Sequence, residues 1–394
     1  MELSTIEQLP LAGKRVFIRV DFNVPLSSTH TVTDDTRIRE ALPTIRYAQE
    51  HGAKVILASH LGRPKGKVDT ALSLRPAAER LGSLLQQPIA LASDCVGANV
   101  QAQVEQLEGG NILVLENLRF HVGEEKNDPD FARALASLAD VYVNDAFGSS
   151  HRAHASVVGM VQHFSHKGTG FLMKKEVTAL SRLLTAPEHP FVAILGGAKV
   201  SDKIGLIGSL LSHANTIIIG GAMAYTVLQA KGIPTGKSLV EPNRVAEVQG
   251  ILARADQQGV SILVPDDHVV VTELKSGETS STTPGQEIPA DRLGVDIGPR
   301  TIEAFQAAIR LARTLLWNGP MGVFEIPPFD RGTQALAETV AATHCFSVAG
   351  GGDTVAALTQ AGLAEQVSHV STGGGASLEF LEAGDLPGLA ALRT

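Results

Sequence analysis

The segment FVAILGGAKVSDK, residues 191–203, indicates the class of fold that this chain adopts. Its first five residues are apolar and favour a buried β-strand, which the pair Gly196-Gly197 ends. The polar residues that follow predict the start of a helix. Lys199 and Lys203 are four residues apart, so they would share one face of that helix. A strand, a glycine turn and a helix in direct succession are typical of an α/β fold.

Two interpretations of this segment are open. A helix N-terminus carries a partial positive charge, so lysines there are destabilising by up to about 1 kcal/mol unless an anion offsets them. Glycines that allow close backbone approach, free N–H groups and two ammonium groups together describe a phosphate site. The alternative is a solvated helix start with two ordinary surface lysines.

The length and composition of the chain limit the classes of protein to which it can belong. Its 394 residues are too many for one typical core and suit two domains of ordinary size. A hydrophobic content of 44% and a charged content of 19% predict a well-packed globular protein. The formal net charge of -8 argues against general affinity for nucleic acids or anionic membranes. Any anion site must therefore be a local concentration of basic groups.

Neither membrane targeting nor structural zinc is predicted. Cys95 and Cys345 are far apart and lack the CxxC or Cys/His spacing of zinc ligands, which favours a reducing compartment. The N-terminal residues MELSTIEQLP do not resemble a signal peptide, and no apolar run reaches transmembrane length. We therefore expect a soluble, cytoplasmic protein.

Short apolar runs alternate with helical patterns along the chain. The runs predicted as buried strands are 15–20, 54–59, 111–115, 140–144, 191–195, 216–220, 261–264, 314–317 and 345–348. The predicted helices are 36–50, 75–86, 130–138, 202–213, 222–231, 244–257, 300–311, 333–342 and 354–361. Near-continuous apolar strands separated by helices predict parallel sheets covered on both faces. Such sheets bind ligands beyond the carboxyl ends of their strands.

The strand ends of the first half are rich in arginine. The groups that they direct towards a common crevice are Arg19, Arg37, His60, Arg63, Arg119 and Arg152, with His151 and His154 beside the last of them. Each arginine taken singly is compatible with an ordinary surface or salt-bridged role. Together their charges repel one another unless a polyanion is bound, and guanidinium groups suit contacts with phosphate and carboxylate. The first half therefore predicts a site for a small, highly anionic substrate.

The strand ends of the second half carry glycines instead, which suit the flat base and the phosphates of a nucleotide. The segment 350–354, GGGDT, leads directly into a predicted helix whose N–H groups can cradle phosphate. Asp353 is open to two interpretations. It caps that helix, or it is a ligand of the Mg²⁺ that accompanies ATP or ADP. A second glycine-rich helix start follows at STGGGASLEF, residues 371–380.

The remaining segments exclude other chemistries and connect the two halves. GIPTGKS, residues 232–238, has three residues between its glycines where a Walker A loop has four, so we interpret it as a turn. The sequence has no GxGxxG at a strand–helix junction, no HExxH, and no nucleophilic Ser or Cys with an obvious base. A glycine turn and a helix over 168–184 join the halves, as in two-substrate enzymes that close on a hinge. The polar segment 275–288 is predicted to be a loop.

The motifs of this chain, in their order and spacing, closely resemble those of the phosphoglycerate kinase family. They are RVDFNVP, DDTRI, SHLGRP, ENLRF, DAFGSSHRAHAS, GGAKVSDK, WNGPMGVFE, AGGGDT and STGGGASLE, and the resemblance extends from about Leu9 to Leu386. It implies an α/β fold of two similar-sized, Rossmann-like, three-layer domains, each a parallel sheet flanked by helices. The implied divisions are a phosphoglycerate-binding domain at 1–169 onto which 377–394 packs back, an interdomain helix at 170–186, and a nucleotide-binding domain at 187–376.

The resemblance also implies an activity and a set of site residues. The reaction is the reversible phosphoryl transfer of glycolysis, in which 1,3-bisphosphoglycerate and ADP give 3-phosphoglycerate and Mg-ATP. The phosphoglycerate site would comprise Asp21, Asn23, Arg37, His60, Arg63, Arg119 and Arg152. The nucleotide site would comprise Lys199, Lys203, Gly294, Glu325, Gly351, Gly352, Asp353 and Thr354, with Glu325 on the ribose and Asp353 on Mg²⁺. Arg37 and Lys203 are the catalytic pair expected at the transferring phosphoryl group.

Two other functions are compatible with the same pattern. A catalytically silent nucleotide-binding scaffold would keep the fold, although neither the arginine set nor the lysine pair is eroded here. A phosphotransferase for another acidic substrate is distinguished only in part, because these side chains read charge and shape. The lack of a long exposed apolar stripe predicts a monomer. One departure from the family pattern is SSTHTVTDDTRI, residues 27–38, where the family often has an Asn-Gly turn.

Overall fold

The computed structural model describes residues 3–393, which divide into two compact units. One unit contains the described residues up to Thr178 together with those from Asp385 onwards, and the other is Ala179–Gly384.

The first unit is built on a six-stranded parallel sheet. Its strands are β1 (Arg15–Arg19), β2 (Lys54–Ala58), β3 (Ala90–Leu91), β4 (Ile112–Val114), β5 (Val141–Asn144) and β6 (Lys167–Thr169). They lie in the order β3-β4-β2-β1-β5-β6, and every neighbouring pair is parallel. The helices are α1 (Thr36–Glu50), α2 (Arg75–Leu85), α3 (Ala98–Glu105), α4 (Val122–Glu125) and α5 (Pro129–Ala136). Helix α6 (Phe171–Thr185) contains the boundary between the units.

Strand β1 shows why these strands are apolar along their whole length. Successive side chains of a strand point to opposite faces of the sheet. Val16 and Ile18 belong to one apolar cluster together with residues of α1 and α2, whereas Phe17 belongs to a second cluster with residues of α3 and α5. Both faces of the sheet are therefore covered by helices, which gives the three layers that the sequence predicts.

The second unit contains a parallel sheet of the same size. Its strands are β7 (Phe191–Leu195), β8 (Thr216–Ile219), β9 (Ser261–Leu263), β13 (Thr314–Asn318), β14 (Phe346–Gly350) and β15 (His369–Val370), in the order β15-β14-β13-β7-β8-β9. All of these pairs are parallel. The helices are α7 (Ile204–Leu210), α8 (Met223–Ala230), α9 (Val245–Gln258), α10 (Pro299–Arg310), α11 (Arg331–Ala342), α12 (Gly352–Gln360) and α13 (Gly375–Ala383). The chain then returns to the first unit in α14 (Pro387–Arg393). The predicted fold class is confirmed.

The second unit also holds a small antiparallel sheet that the sequence patterns do not predict. It consists of β10 (His268–Val271), β11 (Ser281–Thr282) and β12 (Leu293–Ile297), in the order β11-β10-β12. The prediction that 275–288 is entirely loop is therefore wrong at β11. The pattern misses that strand because both of its residues are polar and exposed, and only backbone pairing to β10 holds them in the sheet.

The turn within residues 27–33 closes without an Asn-Gly pair. Leu26 and Val32 form an antiparallel bridge, and the Ser27 N–H donates to the Thr31 carbonyl at 2.8 Å. His30 takes the left-handed conformation at the tip, with φ of 57°. Such φ values are uncommon outside glycine, although Asn, Asp and His are enriched among the exceptions. The turn that the family often builds with Asn-Gly is thus kept here by a histidine.

The GIPTGKS segment is a turn, as predicted. Gly232 and Gly236 both have positive φ values, and the segment does not form a strand-to-helix phosphate loop. Within residues 3–393, no helix combines the length and the apolar character needed to span a membrane.

A pair of substitutions at the end of α10 tests the core of the second unit. Ile309 is fully buried, whereas Leu311, two residues later, is 70% exposed. We expect Ile309→Ala to lower the free energy of unfolding by about 2–5 kcal/mol, because it leaves a cavity. Leu311→Ala should change it by no more than about 0.5 kcal/mol. Urea unfolding followed by the fluorescence of Trp317, the single tryptophan and a buried residue of this unit, measures both values. Equal losses in the two variants would contradict the assignment of the core.

Candidate functional site

The first unit brings most of its predicted site residues together beyond the carboxyl ends of β1, β2, β4 and β5. His60 follows β2 and is buried at the centre of this group. Burial lowers the pKa of His60 well below its ordinary range, and the charges of Arg19, Arg119, Arg37 and His154 lower it further. These electrostatic effects show that the four side chains lie near the His60 imidazole.

The hydrogen bond between Arg19 and His60 defines which nitrogen of the imidazole carries the proton. Nη2 of Arg19 lies 3.1 Å from Nδ1 of His60. A guanidinium group can only donate, so Nδ1 must accept. Since the lowered pKa keeps the ring neutral at pH 7, its single proton is on Nε2. His60 is therefore arranged as a hydrogen-bond donor through Nε2.

Arg19 itself lies below the surface, which corrects the prediction that it faces the crevice. It is fully buried, its Nε donates to Ser156 Oγ at 2.9 Å, and its Nη1 donates to the Val20 carbonyl. A side chain enclosed in this way holds His60 in place and is not available to a ligand. The sequence places Arg19 at a strand end but cannot show that other residues cover it.

Glu124 is a functional residue that the sequence analysis missed. It is fully buried and accepts hydrogen bonds from Ser156 N at 3.0 Å and Ser156 Oγ at 2.6 Å. Burial raises the pKa of Glu124, and the positive charge of Arg19 opposes that increase. The chain of contacts Glu124–Ser156–Arg19–His60 supports the imidazole from behind. Nothing in the segment RFHVGEEKND distinguishes this glutamate from an ordinary surface residue.

Two of the predicted ligand-binding residues hold their neighbours in position. Asp21 Oδ2 accepts from Nη1 of Arg37 at 2.9 Å, in the first turn of α1. The Asn23 side chain accepts from the Gly62 N–H at 2.9 Å, and Gly62 in turn accepts from Arg119 Nη1 at 2.8 Å. The loop after β2 is thus tied to its neighbours on both sides.

The remaining cations of the first unit differ in exposure. Arg119 is buried, and this burial lowers its pKa; the charges of Arg152 and Arg19 act in the same direction, while Glu125, 3.5 Å from its Nε, opposes them. Arg152 is half-buried and donates to Nε2 of His151 at 3.1 Å. Arg63 is an exposed residue of the loop after β2.

The charges of this cluster do not fully cancel. The guanidinium groups are those of Arg19, Arg37, Arg119 and Arg152, and the carboxylates are those of Asp21, Glu124 and Glu125. The balance is positive although the chain as a whole carries -8. Together with the donor at His60 Nε2, this arrangement can bind an anion with several negative groups.

In the second unit, the loop after β7 differs from the sequence-based prediction. Helix α7 begins at Ile204, Lys203 is its N-cap residue, and Lys199 lies in the preceding loop and is exposed. The prediction that both lysines share a helical face is therefore wrong. The Lys203 N–H donates to the Val200 carbonyl at 2.9 Å, and Val200 is fully buried. This separate turn fixes the position of Lys203 ahead of the helix.

Lys203 is held by Asn318, the last residue of β13. Its Nζ donates to Oδ1 of Asn318 and lies 3.4 Å from the Asn318 carbonyl oxygen. Burial lowers the pKa of Lys203 to about 8, although Asp202, Asp353 and Glu382 oppose the shift. The influence of Asp353 shows that the α12 end of the glycine loop is near this ammonium group.

The glycine segment 350–354 forms a helix start, as predicted. Strand β14 ends at Gly350, Gly351 has φ of 89° and caps α12, and a side chain at Gly351 would approach Asn318 to 3.2 Å. The first N–H groups of a helix have no partner within the helix, so they can donate to a ligand anion. Thr354 is buried and its Oγ1 accepts from the Gly319 N–H at 2.6 Å, which ties the loop after β13 to α12.

Asn318 is the second residue that the sequence analysis missed. It contacts Lys203 and lies beside Gly351, so it links the lysine to the glycine loop. Its signal is present in the WNGPMGVFE motif, where it follows an apolar strand directly, but an asparagine there is also typical of an ordinary turn.

The other predicted nucleotide residues lie elsewhere in the second unit. Gly294 is in β12 of the antiparallel sheet, its N–H donates to Ser238 Oγ at 3.0 Å, and any side chain there would collide with Tyr225. Glu325 is exposed in the loop after β13. Asp353 is exposed at the start of α12, where a carboxylate is a suitable hard ligand for Mg²⁺. The described contacts bring together Lys203, Asn318 and the glycine loop.

Comparisons with known proteins agree with one another. A model of the family described as phosphoglycerate kinase matches residues 6–384. A relative named phosphoglycerate kinase from Anaeromyxobacter dehalogenans (strain 2CP-C) is 55% identical over 393 residues, which cover 99% of each chain. One from Moorella thermoacetica (strain ATCC 39073 / JCM 9320) is 54% identical over 388 residues, 98% of each chain.

Two solved structures show the same similarity. The phosphoglycerate kinase from Coxiella burnetii matches with a TM-score of 0.91 at 40% identity, covering 100% of this chain and 98% of its own. That from Pyrococcus horikoshii OT3 matches with a TM-score of 0.85 at 32% identity, covering 99% and 98%. With the motifs, both sheets and nearly the whole length shared, this chain belongs to the phosphoglycerate kinase family.

Proposed function

We propose that this chain catalyses the reversible transfer of a phosphoryl group from 1,3-bisphosphoglycerate to ADP, which yields 3-phosphoglycerate and ATP, with Mg²⁺ accompanying the nucleotide. The observation that carries the proposal is that this family member has a set of anion-binding groups in each of its two units. One unit has a positive cluster around a neutral His60, and the other has a partly buried lysine beside a glycine loop. A catalytically silent scaffold would not need both sets of charged groups. The relatives of this chain that are named phosphoglycerate kinase also favour an enzyme.

We assign the acid substrate to the first unit. Arg37, Arg63, Arg119 and Arg152 bind its carboxyl and phosphate groups as cations, and His60 donates from Nε2. Asp21 and Asn23 act by orienting Arg37 and the loop after β2, as their hydrogen bonds suggest.

We assign the nucleotide to the second unit. Lys199 and Lys203 face its phosphates together with the N–H groups of Gly351, Gly352 and Thr354. Gly294 also belongs to the nucleotide site, and Glu325 binds the ribose. Asp353 would hold Mg²⁺, which offsets part of the negative charge of the phosphates when it is bound.

The reaction needs no covalent intermediate and no general base. The acyl phosphate is already activated and the attacking oxygen of ADP is already ionised. Catalysis therefore reduces to alignment and to neutralising charge on the oxygens of the transferring group. Arg37 supplies positive charge from one unit and Lys203 from the other. Direct in-line transfer requires the two sites to meet, so we propose a hinge motion between open and closed states, in a monomeric and cytoplasmic protein.

A coupled assay is the first test of this function. Purified protein supplied with 3-phosphoglycerate and ATP should form ADP at a rate that depends on added Mg²⁺. Removing the metal with a chelator should abolish turnover, because the phosphate charges would no longer be offset. Another carboxylic acid, such as acetate, serves as the control acceptor. Turnover with acetate but none with 3-phosphoglycerate would contradict the proposed substrate.

Two alanine variants test the roles of the catalytic pair. Lys203→Ala and Arg37→Ala should each lower kcat by at least about 100-fold, the scale of losing one donor to the transition state. The matched controls are Lys231→Ala and Arg39→Ala, exposed residues of the same types, which should stay near wild type. Steady-state kinetics at saturating substrates measures the effect. Near-normal turnover in a variant would refute the role given to that residue.

The lowered pKa of Lys203 predicts how ADP binding depends on pH. The ammonium form binds phosphate, and it is lost as pH rises through about 8 in the free protein. Bound phosphate stabilises the cation and raises this pKa, so affinity should fall by up to about tenfold per pH unit above 8. Lys203→Arg should remove the dependence, because guanidinium stays charged. Calorimetric titrations between about pH 7 and 10 measure it, and a flat wild-type profile would contradict it.

A further inference from the structure

Three potential metal ligands converge in the first unit, apart from the site described above. Asp94 and Cys95 lie in the loop between β3 and α3, and His121 is the residue before α4. One donor atom from each of the three side chains lies within 4.8 Å of the other two. His121 Nε2 is 2.6 Å from Asp94 Oδ1.

The carboxylate of Asp94 has a thiol and an imidazole as neighbours. Its Oδ1 accepts hydrogen bonds from the His121 ring and from the Cys95 backbone N–H, each at 2.6 Å. A divalent cation at this point would take the place of the proton between His121 Nε2 and Asp94 Oδ1. On binding, the thiol would release its proton to solvent, and the imidazole would ligate through Nε2 with its single proton moved to Nδ1.

The exposure of the three side chains suits an ion that enters from solvent. The side chains of Asp94 and His121 are 46% and 33% exposed, while Cys95 is fully buried beneath them. The His121 ring stacks on Phe131 at 5.1 Å between ring centroids, which restrains its orientation. An ion would therefore have a restrained nitrogen, a buried sulfur and an exposed carboxylate, with further positions open to water.

We propose that Asp94, Cys95 and His121 form a binding site for a thiophilic divalent cation of the zinc type. Thiolate, imidazole and carboxylate are the three ligand classes that Zn²⁺ takes in proteins, and three protein ligands plus water is a common open arrangement. Mg²⁺ requires oxygen ligands in near-ideal octahedral geometry, so this site would not compete for the nucleotide's metal.

No sequence motif marks this site, because its ligands come from separate loops. Asp94 and Cys95 are adjacent, but His121 is brought to them only by the fold, so no zinc-like spacing is present. A role for Cys95 as a reactive nucleophile is disfavoured, since the thiol is enclosed and burial raises its pKa.

Cobalt provides the direct test, because a thiolate ligand gives Co²⁺ a charge-transfer band in the near ultraviolet. The full-length protein, free of nucleotide and reduced, is titrated with Co²⁺. We expect one equivalent to produce the band, Zn²⁺ to abolish it and Mg²⁺ to leave it unchanged. The band should be lost in Cys95→Ser and kept in Cys345→Ser, the matched control at the only other cysteine.

A second variant keeps the test decisive if Cys95→Ser disturbs the core. His121→Ala alters a partly exposed side chain and should weaken Co²⁺ affinity by at least about 100-fold, since even loss of an outer partner of a metal ligand costs 10- to 100-fold. Circular dichroism verifies that each variant is folded. Absence of the band in folded wild-type protein with excess Co²⁺, or its survival in folded Cys95→Ser, would overturn the proposal.

Discussion

The burial of both faces of each parallel sheet is the constraint on which the rest of this structure depends. Strands β1 and β13 have no side that faces water along their length, so nearly every residue in them is apolar or fully enclosed. Polar and charged side chains that must reach a ligand can leave the sheet only where a strand ends. In both units the candidate ligand groups lie mainly at the carboxyl ends, where the loops and the helix starts supply free donors.

Below the surface of the first unit, this constraint creates an electrostatic problem. Arg19 lies at the end of β1 and is completely enclosed, and moving an unpaired guanidinium group out of water costs several kcal/mol. Glu124 offsets the charge through Ser156, whose backbone and hydroxyl groups both bond to it. The pair is therefore best understood as a support for His60, because neither charge reaches the surface.

The sequence predicts the architecture well because strands buried on both faces leave a strong pattern. All nine predicted strands are present within a few residues of the expected bounds. The strands of residues 3–393 that were not predicted are β3, β6, β10, β11, β12 and β15, of which β3, β11 and β15 are two residues long and too short to show any periodicity. The site was predicted less completely. Arginines at the surface and below it look alike in a sequence, so Arg19 was placed wrongly and its partner Glu124 was missed.

The same limit applies to the lysine segment of the second unit. The spacing of Lys199 and Lys203 fits a helix, and only the turn anchored by Val200 shows that the helix starts later. Asn318 could not be singled out because its importance comes from two segments distant in sequence, Lys203 and the glycine loop. Local patterns identify the strand ends but not the contacts made across them.

The environment of His60 determines how the ring responds to acid. An exposed histidine commonly acts as an acidity sensor, gaining charge as the medium acidifies. In His60 the protonation state of the imidazole is already set. Nδ1 accepts a hydrogen bond from Arg19, and the buried, positively charged surroundings disfavour a second proton on the ring. The ring behaves like a neutral amide of fixed polarity, so His60 adds no charge to the pocket during moderate acidification.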